Sequence, residues 1–168
     1  MENEIINRVA NSKLVVVDLE EYYPKGPRTV FDIKDWLFQE LVLREKDFRE
    51  HVKQHDWSQY QDHYVALTCS VDAIIPAWAY MLLTVHLEPY AKAIILGSLE
   101  DLETSLYQDI IQNLETDAYV DQMLIIKGCA HKPVPTNAYI LLSQKLKPLA
   151  KSIMYGEACS SVPLFKRK

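Results

Sequence analysis

Residues 76–97, PAWAYMLLTVHLEPYAKAIILG, return 59 positions later as residues 135–156, PTNAYILLSQKLKPLAKSIMYG. Eleven of the 22 columns are identical: Pro76/Pro135, Ala79/Ala138, Tyr80/Tyr139, Leu82/Leu141, Leu83/Leu142, Leu87/Leu146, Pro89/Pro148, Ala91/Ala150, Lys92/Lys151, Ile94/Ile153 and Gly97/Gly156. Average residue usage would supply about one or two. With one residue of slippage in the preceding loop, Val65-Ala66-Leu67-Thr68-Cys69 also lies over Ile125-Ile126-Lys127-Gly128-Cys129. The apolar columns are those a duplication would keep for packing; the cysteine column is not explained that way.

Each copy reads as strand, helix, strand. Tyr64 to Thr68 and Met123 to Lys127 are short apolar runs of buried-strand length. Pro76 and Pro135 stand at the first helical position, where the missing N–H costs nothing. Ala79, Tyr80, Leu83 and Leu87, and their counterparts Ala138, Tyr139, Leu142 and Leu146, recur at helical spacing. Pro89 and Pro148 stop those helices, and Ala93 to Leu96 and Ser152 to Tyr155 follow as second strands, each ended by a glycine. Between the copies, Ser98 with Asp101 reads as a capping box opening an amphipathic helix through Leu99, Leu102, Leu106, Ile110 and Leu114.

The expected fold is therefore α/β: a mostly parallel sheet with covering helices, an internal β-α-β duplication (units about 60–97 and 119–156) and an N-terminal β/α embellishment or antiparallel edge. In that N-terminal third, Lys13 to Leu19 and Thr29 to Ile33 read as strands joined through Tyr23-Pro24-Lys25-Gly26-Pro27, Asp35 to Phe38 as a helical turn, and Glu45 to His55 as a helix burying Phe48 and Val52.

The 168 residues are expected to form a single domain, 1–168, since 49% apolar residues serve one core at this length. A net charge of -5 argues against a nucleic-acid partner. The longest apolar run, Ala73 to Leu83, contains Pro76 and falls well short of the roughly 20 residues of a bilayer span. Met1 to Ala10 carries Glu2, Glu4 and Arg8 and lacks the order of an export signal. No membrane association and a cytoplasmic location are expected.

Three cysteines, Cys69, Cys129 and Cys159, read as reduced thiols rather than a disulfide framework. In open α/β sheets, ligands bind outside the carboxyl ends of the strands. If the strands are parallel, all three thiols fall on one rim, after the strands ending at Thr68, Lys127 and Tyr155. Cys129 and Cys159 lie in glycine-containing polar loops, Lys127-Gly128-Cys129-Ala130-His131-Lys132 and Gly156-Glu157-Ala158-Cys159-Ser160-Ser161, whose neighbours favour thiolate. They are the candidate catalytic residues. Lys127, His131 and Glu157 are the candidate cofactor-binding residues, and Cys69, Cys129 and Cys159 the candidate metal ligands, for an iron–sulfur cluster, zinc or copper(I). The spacing matches no standard zinc motif. A low-pKa cysteine that accepts sulfur or an acyl group is an equally open reading, and free cysteine also simply fills core space.

Other polar features read as structural. His51 and His55 are four apart, a metal-compatible spacing, but the charged segment Arg44 to Asp56 reads better as a solvated face. His63 and His86 read as surface or boundary residues, Trp36, Trp57 and Trp78 as packing, and Lys166-Arg167-Lys168 as a flexible end. Asp18, Glu20 and Glu21 read either as strand-end caps on a functional rim or as solvated loop charges. There is no phosphate loop, dinucleotide fingerprint or nucleophile elbow.

The segments Asp56-Trp57-Ser58-Gln59-Tyr60, Ile75-Pro76-Ala77-Trp78-Ala79, Lys127-Gly128-Cys129, Val134-Pro135 and above all Ser152-Ile153-Met154-Tyr155-Gly156-Glu157-Ala158-Cys159-Ser160-Ser161-Val162-Pro163-Leu164 resemble a family of small Bacteroidetes proteins classed as domain of unknown function 2480, over essentially the whole chain. The resemblance implies a cytoplasmic α/β protein without an assigned activity. It also implies a gene neighbourhood beside the sulfur-mobilisation operon, and so iron–sulfur assembly proteins as partners. The resulting expectation is an accessory protein of iron–sulfur cluster or sulfur handling with a thiolate site at the sheet rim. The alternatives are a non-catalytic protein–protein interaction module with inert cysteines and a small-metabolite enzyme using the same rim.

Overall fold

A computed structural model describes residues 14–128 and 130–168. Their contacts divide the chain into two units: a flanking unit, made of the segment up to Tyr23 together with residues 106–168, and an inserted unit, Pro24–Ser105.

The flanking unit is built on a four-stranded sheet of β1 (Leu14–Asp18), β5 (Met123–Lys127), β6 (Ser152–Glu157) and β7 (Ser160–Lys166), in that order. The first three strands are parallel, with Leu14 opposite Met123 and Asp18 opposite Lys127, and Met123 in turn opposite Ser152. Helix α4 (Thr136–Leu146) joins β5 to β6. Its Ala138, Leu142 and Leu146 are buried with Val17, Leu19, Leu124, Ile126 and Ile153. That is a helical i, i+4 stripe laid on alternate strand positions.

The inserted unit repeats the arrangement with β2 (Arg28–Asp32), β3 (Tyr64–Thr68) and β4 (Ala93–Leu96), all parallel. Helix α2 (Ala77–Leu87) crosses from β3 to β4, and α1 (Glu45–Gln54) precedes β3. Here Ala79, Leu83 and Leu87 are buried with Phe31, Phe48, Val52, Trp57, Tyr60, Val65 and Leu67. Before each central strand a left-handed aspartate turns the chain into the sheet: Asp62 (φ 63°) donates its N–H to Tyr90 O at 2.9 Å, and Asp121 (φ 56°) donates to Leu149 O at 3.0 Å.

Helix α3 (Leu99–Gln112) carries the chain from one unit to the next. It opens on the expected capping box, with Ser98 N–H donating to Asp101 at 2.7 Å and Asp101 N–H to Ser98 Oγ at 3.2 Å. Its buried positions are Leu102, Glu103, Leu106, Tyr107 and Ile111, whereas Leu99 is exposed. Lys145 Nζ ties down the helix's last carbonyls, Ile111 O and Gln112 O, at 2.6 and 2.7 Å.

Five expectations are corrected. The crossover strands form two sheets, not one. The N-terminal strands make no antiparallel edge: β1 pairs with β5 and β2 with β3, both parallel, because each unit needs a partner for its central strand's open side. The helical turn is a 3-10 turn at Ile33–Trp36, matched by another at Leu19–Tyr22. The carboxyl end is anchored: β7 pairs antiparallel with β6, and Arg167 bonds Asp121 Oδ1 at 2.5 Å and the carbonyls of Pro148 and Leu149 at 3.2 and 2.9 Å. Pro76 and Pro135 fall at the helix N-caps, one residue earlier than read. No helix among the described residues is long and apolar enough to cross a membrane.

Candidate functional site

The carboxyl rim of the flanking sheet is charged because its three parallel strands end on Asp18, Lys127 and Glu157. The register brings Asp18 beside Lys127, whose Nζ lies 3.2 Å from Asp18 Oδ2 and 3.7 Å from Glu157 Oε1. Asp18 foremost, then Glu157, holds the lysine's pKa above its ordinary value. Asp18 also caps the 3-10 turn, since its Oδ1 accepts the N–H of Glu20 at 3.0 Å.

That turn aims the Glu20 carboxylate at the loop after β5. Its Oε1 accepts the backbone amides of His131, at 2.8 Å, and of Ala130. The His131 amide, reinforced by those of Ala130 and Lys132, keeps the Glu20 pKa below the usual carboxylate value. A carboxylate that gathers successive amides fixes a loop which has no regular partner strand.

Gly128, at φ +154°, begins the loop. A Cβ there would meet the Tyr139 hydroxyl at 2.7 Å, so the close approach of this tyrosine requires glycine. Tyr139 stands edge-on to Tyr155 at 5.8 Å, and Lys132 Nζ lies 5.4 Å from the Tyr23 ring.

The residues singled out by sequence distribute as follows. Lys127 and Glu157 meet at this rim, and His131 is held there through its backbone. Cys159 is exposed in the two-residue turn between β6 and β7. Gly156 (φ +110°) shapes that turn, since a Cβ there would come within 2.8 Å of Ser160 O. Cys129 lies outside the described residues. Cys69 belongs to the inserted unit, after β3, and so sits on the rim of a different sheet from the strand that precedes Cys159; one shared sheet edge for all three thiols is not what forms. Cys69 is half-buried against the inserted core, and its Sγ donates to Val71 O at 3.4 Å. Among the described residues no three His, Cys, Asp or Glu side chains converge as a metal site, and no disulfide joins them.

His51 and His55 form no metal pair; the segment is a solvated face, His51 included, apart from Phe48, Val52 and the half-buried His55. His51 stacks on Trp36 at 5.5 Å, and His55 packs among Phe31, Trp36, Trp57 and Tyr60, with Nε2 2.9 Å from the Tyr60 hydroxyl. Burial lowers the His55 pKa. Of the acidic trio, Asp18 and Glu20 do act as caps. Sequence reasoning does not single out Tyr139 as a site residue, although the Tyr80/Tyr139 column is its signal. Tyr80, its counterpart, has its pKa raised first by burial and then by Cys69 beside it.

The family model described as Protein of unknown function (DUF2480) matches residues 3–167. No curated protein and no solved structure matches the chain. The match takes in every segment that carried the resemblance, and the chain belongs to the DUF2480 family.

Proposed function

We propose that the carboxyl rim of the flanking unit is a thiol site centred on Cys129 and Cys159, and that the protein is an accessory of sulfur or iron–sulfur handling. The observation that carries this reading is the exposed Cys159 on the turn just past the Lys127–Glu157 pair, on the same unit in which Glu20 holds the amides of Ala130 and His131. An exposed thiol is open to soft metals and to sulfur donors, which bind or react with its thiolate form. Cys69 falls outside this reading, since its thiol is engaged by its own loop carbonyl.

Anaerobic purification followed by metal analysis and an absorption spectrum, for wild type, Cys129→Ser and Cys159→Ser, tests the proposal. A bound soft metal or a sulfur-loaded species, lost in either variant and kept in Cys69→Ser, is the expected result. A metal-free, colourless protein whose Cys129 and Cys159 resist alkylation in the native state would overturn it and leave the non-catalytic interaction module.

A further inference from the structure

β4 is an edge strand: it pairs with β3 on one side, and no described strand pairs with its other side. Its counterpart in the repeat, β6, is covered on that side by β7 through an antiparallel ladder from Ser152/Lys166 to Glu157/Ser160. Among the described residues, then, the two sheets present two versions of one edge, one covered and one bare. The bare version also lacks the usual protection. Its sequence is Ala-Ile-Ile-Leu, without proline or charge, and Leu96 is 63% exposed, whereas β7, the edge that covers β6, carries Pro163 and Lys166.

The direction of the free backbone groups follows from the ladder. Gly97 donates its N–H to Leu67 O at 2.9 Å. Alternation along a parallel strand then turns Ile95 toward β3 and leaves the N–H and C=O of Ile94 and Leu96 facing outward.

From this edge we infer that the chain forms a two-fold dimer by antiparallel pairing of β4 with β4 of a second copy, extending the inserted sheet across the axis. Pairing about Ile95 sets Ile94 of one copy against Leu96 of the other on both sides, so that all four outward groups find partners and only apolar side chains meet. The charges beyond the strand complement each other under this symmetry. Lys92 precedes β4, and Glu100 and Asp101 follow it at the start of α3. Antiparallel pairing carries each lysine toward the acidic helix start of the other copy, where parallel pairing would set like beside like. A two-fold contact of this kind closes on itself and does not propagate into fibres.

Sedimentation velocity of the full chain over a wide concentration range tests the inference. The expected result is a reversible dimer whose dissociation constant rises at least about tenfold in Leu96→Lys, which places a charge on the edge at an already exposed position. Leu96→Pro removes an outward donor without touching the β3 ladder and is expected to act the same way. Leu164→Lys, on exposed β7, leaves the dimer unchanged. Ile95→Cys, in a background with Cys69, Cys129 and Cys159 replaced by Ser, forms an intermolecular disulfide, because residues facing each other on the axis approach to about 4.5 Å between Cα atoms. A chain monomeric at every concentration, or a dimer indifferent to both Leu96 variants, overturns the inference.

Discussion

In the flanking unit the strand-end Asp18 meets Lys127 across the sheet, whereas in the inserted unit the corresponding Asp32 stands opposite Thr68. Both aspartates cap a 3-10 turn through the amide two residues on, at 3.0 Å in each case. Beyond that they diverge. Asp32 itself grips the loop after β3, accepting Ser70 N–H at 3.1 Å. In the flanking unit the equivalent grip on the loop after β5 passes to Glu20, and the inserted unit has Lys34 at that place. Moving the grip to Glu20 leaves Asp18 Oδ2 to pair with Lys127, so that one backbone plan yields an ion-paired rim in one unit and, in the other, an aspartate held by backbone amides.

The cores differ as well. The flanking core is chiefly aliphatic, while the inserted core is organised around Phe31, Trp36, Phe48, Trp57 and Tyr60, with ring centroids 4.9 to 6.3 Å apart. Outward faces diverge too: Met81 and Val85 of α2 are exposed apolar residues, and the repeat aligns them with Ile140 and Gln144. All three tryptophans, Trp36, Trp57 and Trp78, lie in the inserted unit, so their fluorescence reports on it selectively.

The strongest way to break the comparison is to remove Glu103. Its carboxylate holds Arg28 at 2.6 and 3.2 Å with both side chains nearly buried, and the flanking sheet has no such pair among its described ion pairs. Glu103→Ala is expected to cost about 3–5 kcal/mol, since it removes the carboxylate from a nearly buried guanidinium and leaves it only neutral hydrogen-bond acceptors such as Pro24 O and Gly26 O, and tryptophan fluorescence in a denaturant titration would show it. Leu83→Ala and Leu142→Ala occupy the same column of the repeat and are both fully buried. Each should cost about 2–5 kcal/mol. Comparing fluorescence with far-ultraviolet circular dichroism separates the two cases: Leu83→Ala should shift the tryptophan transition, whereas Leu142→Ala shifts the ellipticity transition more. Coincident shifts in both variants would show that the units unfold as one.

Smaller effects sharpen the contrast. Arg167→Ala loosens the end of β7 and is expected to cost about 1 kcal/mol, because its partners are largely exposed. Acidification should touch the inserted unit first. His55 has a pKa below its ordinary 6.5, so the stability it confers is full above that value and is lost as pH falls through the lowered one. Glu20, lowered from 4.5, behaves in the same sense at more acid pH, with its contribution complete above 4.5 and lost as pH falls through its folded value. Tryptophan fluorescence should therefore change before the amides of Ala130 and His131 lose protection from hydrogen exchange. Glu20→Gln should weaken that protection at neutral pH.

Much of the secondary structure was legible because it depends on local pattern. The buried runs of β3 and β5, the i, i+4 stripes of α2 and α4 and the Ser98–Asp101 box each lie within a few neighbouring residues. Strand partners were not legible. Val15, Val17 and Phe31 would serve equally well beside several strands, and nothing near them in sequence names β5 or β3. β7 was hidden by Pro163, which argues against a central strand and is tolerated here at an edge. Of the site, the rim position of Lys127 and Glu157 was readable from strand ends. The roles of Glu20 and Tyr139 were not, since each acts on a loop far away in the chain.

The pairing of β1 with β5 has a consequence for synthesis. β1 leaves the ribosome about 100 residues before its hydrogen-bonding partner, with the whole inserted unit between them. Pro24–Ser105 can complete its own parallel sheet while Leu-Val-Val-Val-Asp still waits with an open backbone. The rim bearing Asp18, Lys127 and Glu157 therefore cannot close until β5 and β6 have both emerged.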